Sequence, residues 1–523
     1  MLKAHGRKEI TVRAVVKNRL ILLFLLVVTV VATLACAPGA TQDTQRKRQL
    51  VIAQNLDAIS LDPTTSINTV NVRLYAHLFD PLINRDRTGK LEGRLAERWE
   101  NPNATTWRFF LRKGVKFHNG EEFNAESAKL SLDRARDPKV STVPASFSTI
   151  ESVTVVDSYT IDVKTKGPDP LLLQRLADQP SMVPPGDLKT KGNEEFARNP
   201  VGTGPFQFVE WVRGNQIVLK ANPQYWRGAP SFDSITFKVI PEGGTRVAAL
   251  QTGEADMAIA VPPGIVDTVK KSGNARIVSA PLASDVHIGF KANEPPFNDV
   301  RVRQALNYAI DKKAIVENVL GGFARVTGQP SPQGVFGYNP KIQPYPFDQA
   351  KARQLLAEAG LANGASVDLT FADGFVANGK EVMEAVAEQL RTVGINVRLN
   401  QMDGASFTPL GRAGRMTPLF ASYTLTRNFD TDEMMQNPLT TQGSWNHGRY
   451  SSARIDAIVK EAVSILDQAQ RQRLYEEANQ IVHDDAAWLF LFNPMSVWGV
   501  ANSLEWEGRP DDLVKVYDEV RRK

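Results

Sequence analysis

Six histidines and one cysteine are the residues of this 523-residue chain best suited to metal or nucleophile chemistry, and their spacing limits what they can do together. His5, His77, His118, His287, His447 and His483 include no pair at helical ligand spacing, so no built-in metal site is expected. Neither a Gly-x-Ser-x-Gly elbow nor a Gly-x-x-x-x-Gly-Lys-Ser/Thr loop occurs. Gly202-Thr203-Gly204 opens like a dinucleotide fingerprint, but Gln207 stands where the third glycine belongs and Pro205 removes a backbone donor. A tight turn before the strand "FQFVEW" accounts for it better. His483-Asp484-Asp485 could act as an acid–base pair, yet its place on an amphipathic helix reads as a solvated face. No nucleophile, base and oxyanion donor are brought together, so neither catalysis nor a cofactor is expected.

The cysteine, Cys36, ends a long apolar run. Lys3, Arg7, Lys8, Arg13, Lys17 and Arg19 oppose a single Glu9, and the 16 residues from Leu20 to Ala35 carry no charge. Basic start, apolar middle and small residue at the cut are the layout of a secretion signal over residues 1–35. The run is short for a membrane span, which needs about 20 apolar residues. A single-pass anchor and a signal cut elsewhere remain alternatives to the reading favoured by Leu34-Ala35-Cys36, which resembles a bacterial lipobox with Thr33 and Leu34 in less usual places. In that reading Cys36 carries a diacylglyceryl group, and residues 36–49 form a polar tether. The rest of the chain has no cysteine, so the folded part must be held by its core alone.

The formal charge of +5 belongs to the signal segment, whose six positive and one negative residues leave the remainder at zero. With no basic block and no basic–aromatic interleaving, nucleic acid is not an expected partner.

The elements that would position a site fall into two textures. Up to about Asp285, short strands dominate: Trp107, Phe109 and Leu111 alternate, with a turn at Lys113-Gly114 before Val115 and Phe117. "SVTVVDSYTIDVKT" reads as a hairpin with Asp157-Ser158 at its tip, and Asn124 as the N-cap of "AESAKLSLDRA". "SITFKVI", "GGTRVAALQTG" and "ADMAIA" form a βαβ unit whose helix Gly253 closes. Beyond it, helices lengthen: Asn298 or Asp299 caps one, Asp311 restarts another that ends at Gly321-Gly322, and Asp348 opens a third. Val367/Leu369/Phe371, the helix from Lys380 to Val393 and Ile395/Val397/Leu399 make a second βαβ unit. Two more helices precede the apolar strand "AWLFLFNPMSVWGV". The order implies two α/β lobes, the first discontinuous in sequence.

"VGTGPFQFVEWVRGNQIVLKANPQYWRGAP", Val201 to Pro230, resembles the hallmark block of the bacterial family 5 extracellular solute-binding proteins, the peptide and nickel group that serves ABC importers. "ISLDPTTS", "LAERWENPNATTWRFFLRKGVKFHNGEEFNAES", "RVAALQTGEADMAI", "PPFNDVRVRQALNYAIDKKAIVENVLGG" and "YSSARIDAIVKEA" resemble the family in the same order. The resemblance implies an α/β, two-lobed periplasmic-binding-protein fold of type II, in the large cluster C form, with an extra subdomain in the first lobe. It places lobe I at 50–285, lobe II at 286–494 and a return to lobe I at 495–523. It also implies a monomeric receptor, exported and lipid-anchored outside the cytoplasmic membrane, that hands a di- or oligopeptide to ABC permease subunits. An oligosaccharide, an opine-like conjugate or a nickel chelate is the alternative cargo.

In peptide-binding members an aspartate of lobe II pairs with the ligand's α-amino group. Aligning Asp430-Thr431-Asp432 with the family's Asp-Pro-Asp puts Arg427 in that place, and no acid occurs from Ala421 to Phe429. Arg427 then either forks onto an anionic group of the ligand or pairs with Asp430 or Asp432 on the loop surface. Tyr423 and Trp445 are the candidate stacking residues, with packing as the other role for Trp445. Ser66, Ile67 and Asn68 are the contacts implied from the first lobe.

Overall fold

The computed structural model describes residues 48–177 and 179–523. The expected secretion signal, Cys36 and nearly all of the tether lie outside the described residues; strand structure begins at Gln49.

One strand organises the molecule. Trp488–Ala501 runs for 14 residues, and its apolar sequence is buried on both faces at either end. Through Trp488–Phe492 it pairs antiparallel with Ser284–Phe290, and through Met495–Ala501 with Ala275–Pro281. Leu282, between those two partners, donates its N–H to the Pro494 carbonyl at 2.9 Å. The chain therefore passes twice, side by side, from one hydrophobic core to another.

On the first side the sheet continues through Met257–Ala258, Gln49–Gln54, Ser234–Val239, Gln216–Ala221 and Phe206–Val212. The expected βαβ unit forms here, with Gln49–Gln54 inserted between its strands. Its helix, Gly243–Thr252, stops at Gly253, which adopts the left-handed conformation (φ 75°) that glycine enters without a Cβ penalty. Leu50, Ile52, Phe206, Phe237, Trp498 and Val514 share this core, so the C-terminal segment returns to it. A separate antiparallel sheet of Ala96–Asn103, Thr106–Leu111, Thr160–Thr165 and Ile150–Asp157 packs on the helix Ala125–Arg136 around Phe109, Phe123, Leu132 and Ile161. This is the extra subdomain. Asn124 caps its helix by accepting from the Glu126 and Ser127 N–H groups. Among the described residues, no strand follows directly on the turn at Lys113-Gly114. Val115 and Phe117 are buried from an irregular segment instead, tied down by Arg112 N–H to Leu95 O (2.8 Å) and Phe123 N–H to Val115 O (2.9 Å).

On the second side the order is Ile395–Met402, Ala365–Ala372, Leu419–Leu425, Ser284–Phe290 and the long strand. Ala365–Ala372 and Ile395–Met402 are parallel neighbours joined by the helix Gly379–Arg391, the second βαβ unit. Asp299, Asp311 and Asp348 each cap the helix that follows, and the helix after Asp311 ends early, at Asn318. Val286, Leu306, Leu369, Val386 and Leu489 belong to this core. The architecture is a mixed α/β body of two lobes.

Candidate functional site

The second lobe carries a cavity of about 340 Å³ against the strand Leu419–Leu425 and the loop Trp445–Tyr450. Gly289 opens it: a Cβ there would lie 2.3 Å from Phe420 Cζ, so the Phe420 ring lies across that backbone. Gly448 lets the loop approach just as closely, since a Cβ would sit 2.2 Å from the Phe290 carbonyl oxygen. Asn446 shapes the loop from within, donating to the Thr440 and Tyr450 carbonyls and accepting from the Tyr450 N–H at 3.0 Å. The walls are aromatic: Phe420, Tyr423, Trp445, His447, Tyr450 and Trp488. Trp445 is 41% exposed and stacks on His447 with ring centres 6.1 Å apart, so it faces open space rather than a core.

His447 is pulled down to about 4, by burial first and then by Arg412 and Arg449, and is neutral near pH 7. His287 lies at the floor, its ring stacked at 3.7 Å on Trp488 and its Nδ1 2.9 Å from Asp285 Oδ2. Burial raises the Asp285 pKa against the pull of His287, and the Thr424 hydroxyl donates to its other oxygen.

One loop brings charge to this setting. The short helix Thr431–Gln436 is capped by Asp430, whose Oδ1 accepts from the Asp432 N–H at 3.0 Å. From its first turn Glu433 reaches back: Oε2 accepts from the Arg427 N–H (2.9 Å), the Thr426 hydroxyl (3.1 Å) and the Asn428 N–H (3.3 Å). Glu433 and Arg427 both line the cavity. Arg427 does not pair with Asp430 or Asp432, the bland alternative for it. Asp430 is held instead by buried Arg471 at 3.0 Å, and Asp432 accepts from the Tyr475 hydroxyl at 3.2 Å. Among the described residues the Arg427 guanidinium has no ion pair.

Arg427, Tyr423 and Trp445 thus meet in one cavity, while Ser66, Ile67 and Asn68 are not among its lining residues. Asn68 caps the helix Thr69–Leu78, accepting from the Asn71 N–H at 2.8 Å, and Ser66 is buried. Phe420, His287, His447, Trp488 and Glu433 escaped the reading of the sequence. Glu433 had a signal, because Asp430-x-x-Glu433 has the form of a capping box.

Between the lobes lies a second cavity of about 470 Å³, with Arg85 and Gln174 on one side and Phe336 and Phe429 on the other. The Arg85 guanidinium sits 4.8 Å over the Phe429 ring. Among the described residues, no group of three or more His, Cys, Asp or Glu side chains could hold a metal.

Two α/β lobes joined by a doubled crossing, with an aromatic cavity beside the crossing strand, define a solute-binding receptor. The chain belongs to the bacterial extracellular solute-binding proteins of family 5; the sequence model of the family's middle region matches residues 90–446. It is similar to the glutathione-binding protein GsiB of Pectobacterium atrosepticum, 31% identical over 486 residues, covering 90% of this chain and 94% of GsiB. Among solved structures it resembles HbpA2 of Haemophilus parasuis (TM-score 0.81, 26% identity, 91% of this chain and 100% of that one). It also resembles the oligopeptide-binding protein AppA of Bacillus subtilis in complex with a nonapeptide (TM-score 0.75, 26% identity, 91% and 99%).

Proposed function

We propose that this protein is the exported, monomeric receptor of an ABC importer, lipid-anchored through Cys36, and that it captures short peptides and passes them to the permease without chemical change. The cavity carries the reading: at about 340 Å³ it lies near the small end of the range for enclosed ligands, roughly 300–1,000 Å³. That size favours two or three residues over a nonapeptide, in keeping with relatives that bind glutathione. Arg427, Tyr423 and Trp445 contact the ligand, and Ser66, Ile67 and Asn68 approach it from lobe I on closure. The lobes comprise 50–285 with 495–523, and 286–494. Closure is driven by contacts that both lobes make only when shut, so the ligand shifts the equilibrium by that difference in affinity.

Native mass spectrometry of the protein purified from its own host tests the proposal. Co-purifying masses of two to three amino acids are expected; a carbohydrate or a metal chelate would overturn the peptide assignment.

A further inference from the structure

We infer that Arg427 and Glu433 act as a pair that reads an α-amino-acid head, with ammonium and carboxylate on one carbon, and so select peptides linked through a side-chain carboxyl over ordinary α-linked ones. The inference rests on the cavity being the ligand site.

Among the residues lining the cavity, Arg427 is the one arginine or lysine and Glu433 the one aspartate or glutamate. Among the described residues they form no ion pair with each other or with a third group, so each charge is left for a ligand. Their separation is fixed by the chain itself. Glu433 Oε2 is occupied by three donors from residues 426–428, one of them the N–H of Arg427, whereas Oε1 accepts no hydrogen bond among the described residues. Thr426 is in turn held through its N–H to the Ala283 carbonyl at 2.9 Å. A carboxylate oxygen and a guanidinium therefore project from one braced turn. An ammonium donates to Oε1, and a carboxylate accepts from the planar donors of the guanidinium.

An α-linked peptide offers only half of this. Its terminal ammonium meets Glu433, but the neighbouring carbon carries an amide carbonyl, a weak partner for the Arg427 charge. A γ-linked peptide keeps both charges on its first residue and turns its chain away along the side chain, toward Trp445 and His447.

Isothermal titration calorimetry on the full-length protein, in detergent and under reductant, separates the possibilities. The probes are glutathione, its α-linked isomer and trialanine. The wild type is expected to bind glutathione well ahead of the other two. Glu433→Gln keeps an oxygen for the backbone donors, and Arg427→Gln removes a guanidinium that has no ion pair among the described residues; each should weaken glutathione about tenfold to a hundredfold, the value of a charge-assisted hydrogen bond. Each should also narrow the gap between the isomers. Equal wild-type binding of the isomers, or a gap kept by both variants, overturns this inference alone. Binding of none of the three probes overturns the peptide assignment and this inference with it.

Discussion

Replacing Arg471 by methionine should cost the protein more than any surface change. Arg471 and Asp430 are each 1% exposed, with Nη2 3.0 Å from Oδ1. The guanidinium also donates through Nε to the Ala462 carbonyl at 3.0 Å and lies over the rings of Phe336 (4.9 Å) and Tyr475 (5.2 Å). Methionine fills much of that volume but leaves the Asp430 carboxylate buried, with the Asp432 N–H as its remaining donor. Burial already raises the Asp430 pKa, and Arg471 is the largest influence opposing it. Breaking a buried pair from one side costs about 3–5 kcal/mol. At roughly 2–4 °C per kcal/mol for a unit of 150–250 residues, Tm should fall by roughly 6–20 °C. Far-ultraviolet circular dichroism melts of the wild type, Arg471→Met and the double variant Arg471→Met/Asp430→Asn give the comparison. The double variant should recover most of the loss, because a neutral amide needs no cation and its oxygen still caps the helix. A loss below about 3 °C, or a double variant as unstable as the single one, would refute the reasoning.

Asp432 is pushed up to about 7, by burial first and by Asp430 second, from an ordinary value near 4. Its contribution to stability is full below pH ~4 and lost as pH rises through about 7, so Asp432→Asn should melt higher than wild type at pH 8 and lose that advantage near pH 4. A Tm difference that does not change with pH would contradict the assignment. Trp445→Ala, at a side chain 41% exposed, should leave Tm nearly unchanged while weakening peptide binding about tenfold. A lower Tm with unchanged affinity would make Trp445 a packing residue. Cys36→Ala should release the protein in soluble form or leave uncleaved precursor, and unchanged lipid labelling of that variant would refute the anchor.

Features decided within a few residues were legible in the sequence. Asn124, Asp299, Asp311 and Asp348 cap the helices they precede, and Gly253 takes positive φ where its helix stops, because caps and left-handed turns depend on adjacent backbone. The expected hairpin formed as well, but its tip is Ser158-Tyr159 rather than Asp157-Ser158, because Asp157 stays paired with Thr160 and its Oδ1 accepts from the Tyr159 N–H at 2.8 Å. Features decided across the fold were not. "AWLFLFNPMSVWGV" is apolar except for Asn493 and Ser496, and such a run says that a strand is buried without saying that its halves serve different cores. His287 shows no pattern that would pair it with Trp488, 201 residues away in the chain, and it took the sheet to stack them.

The loop Thr426–Glu433 has three attachments that the linear sequence does not connect. Arg427 and Glu433 line the aromatic cavity, Phe429 lies under Arg85 of the opposite lobe, and Asp430 is anchored to Arg471. Phe429 holds a left-handed backbone conformation, φ 55°, which costs a bulky side chain energy and persists where surrounding contacts impose it. The Glu433 carboxylate supplies such contacts by gripping the N–H groups of Arg427 and Asn428, immediately before Phe429. A ligand bound at Glu433 Oε1, as proposed, would steady the same turn that presents Phe429 to the other lobe. On the proposed function, ligand occupancy and lobe contact would be coupled through this one braced turn.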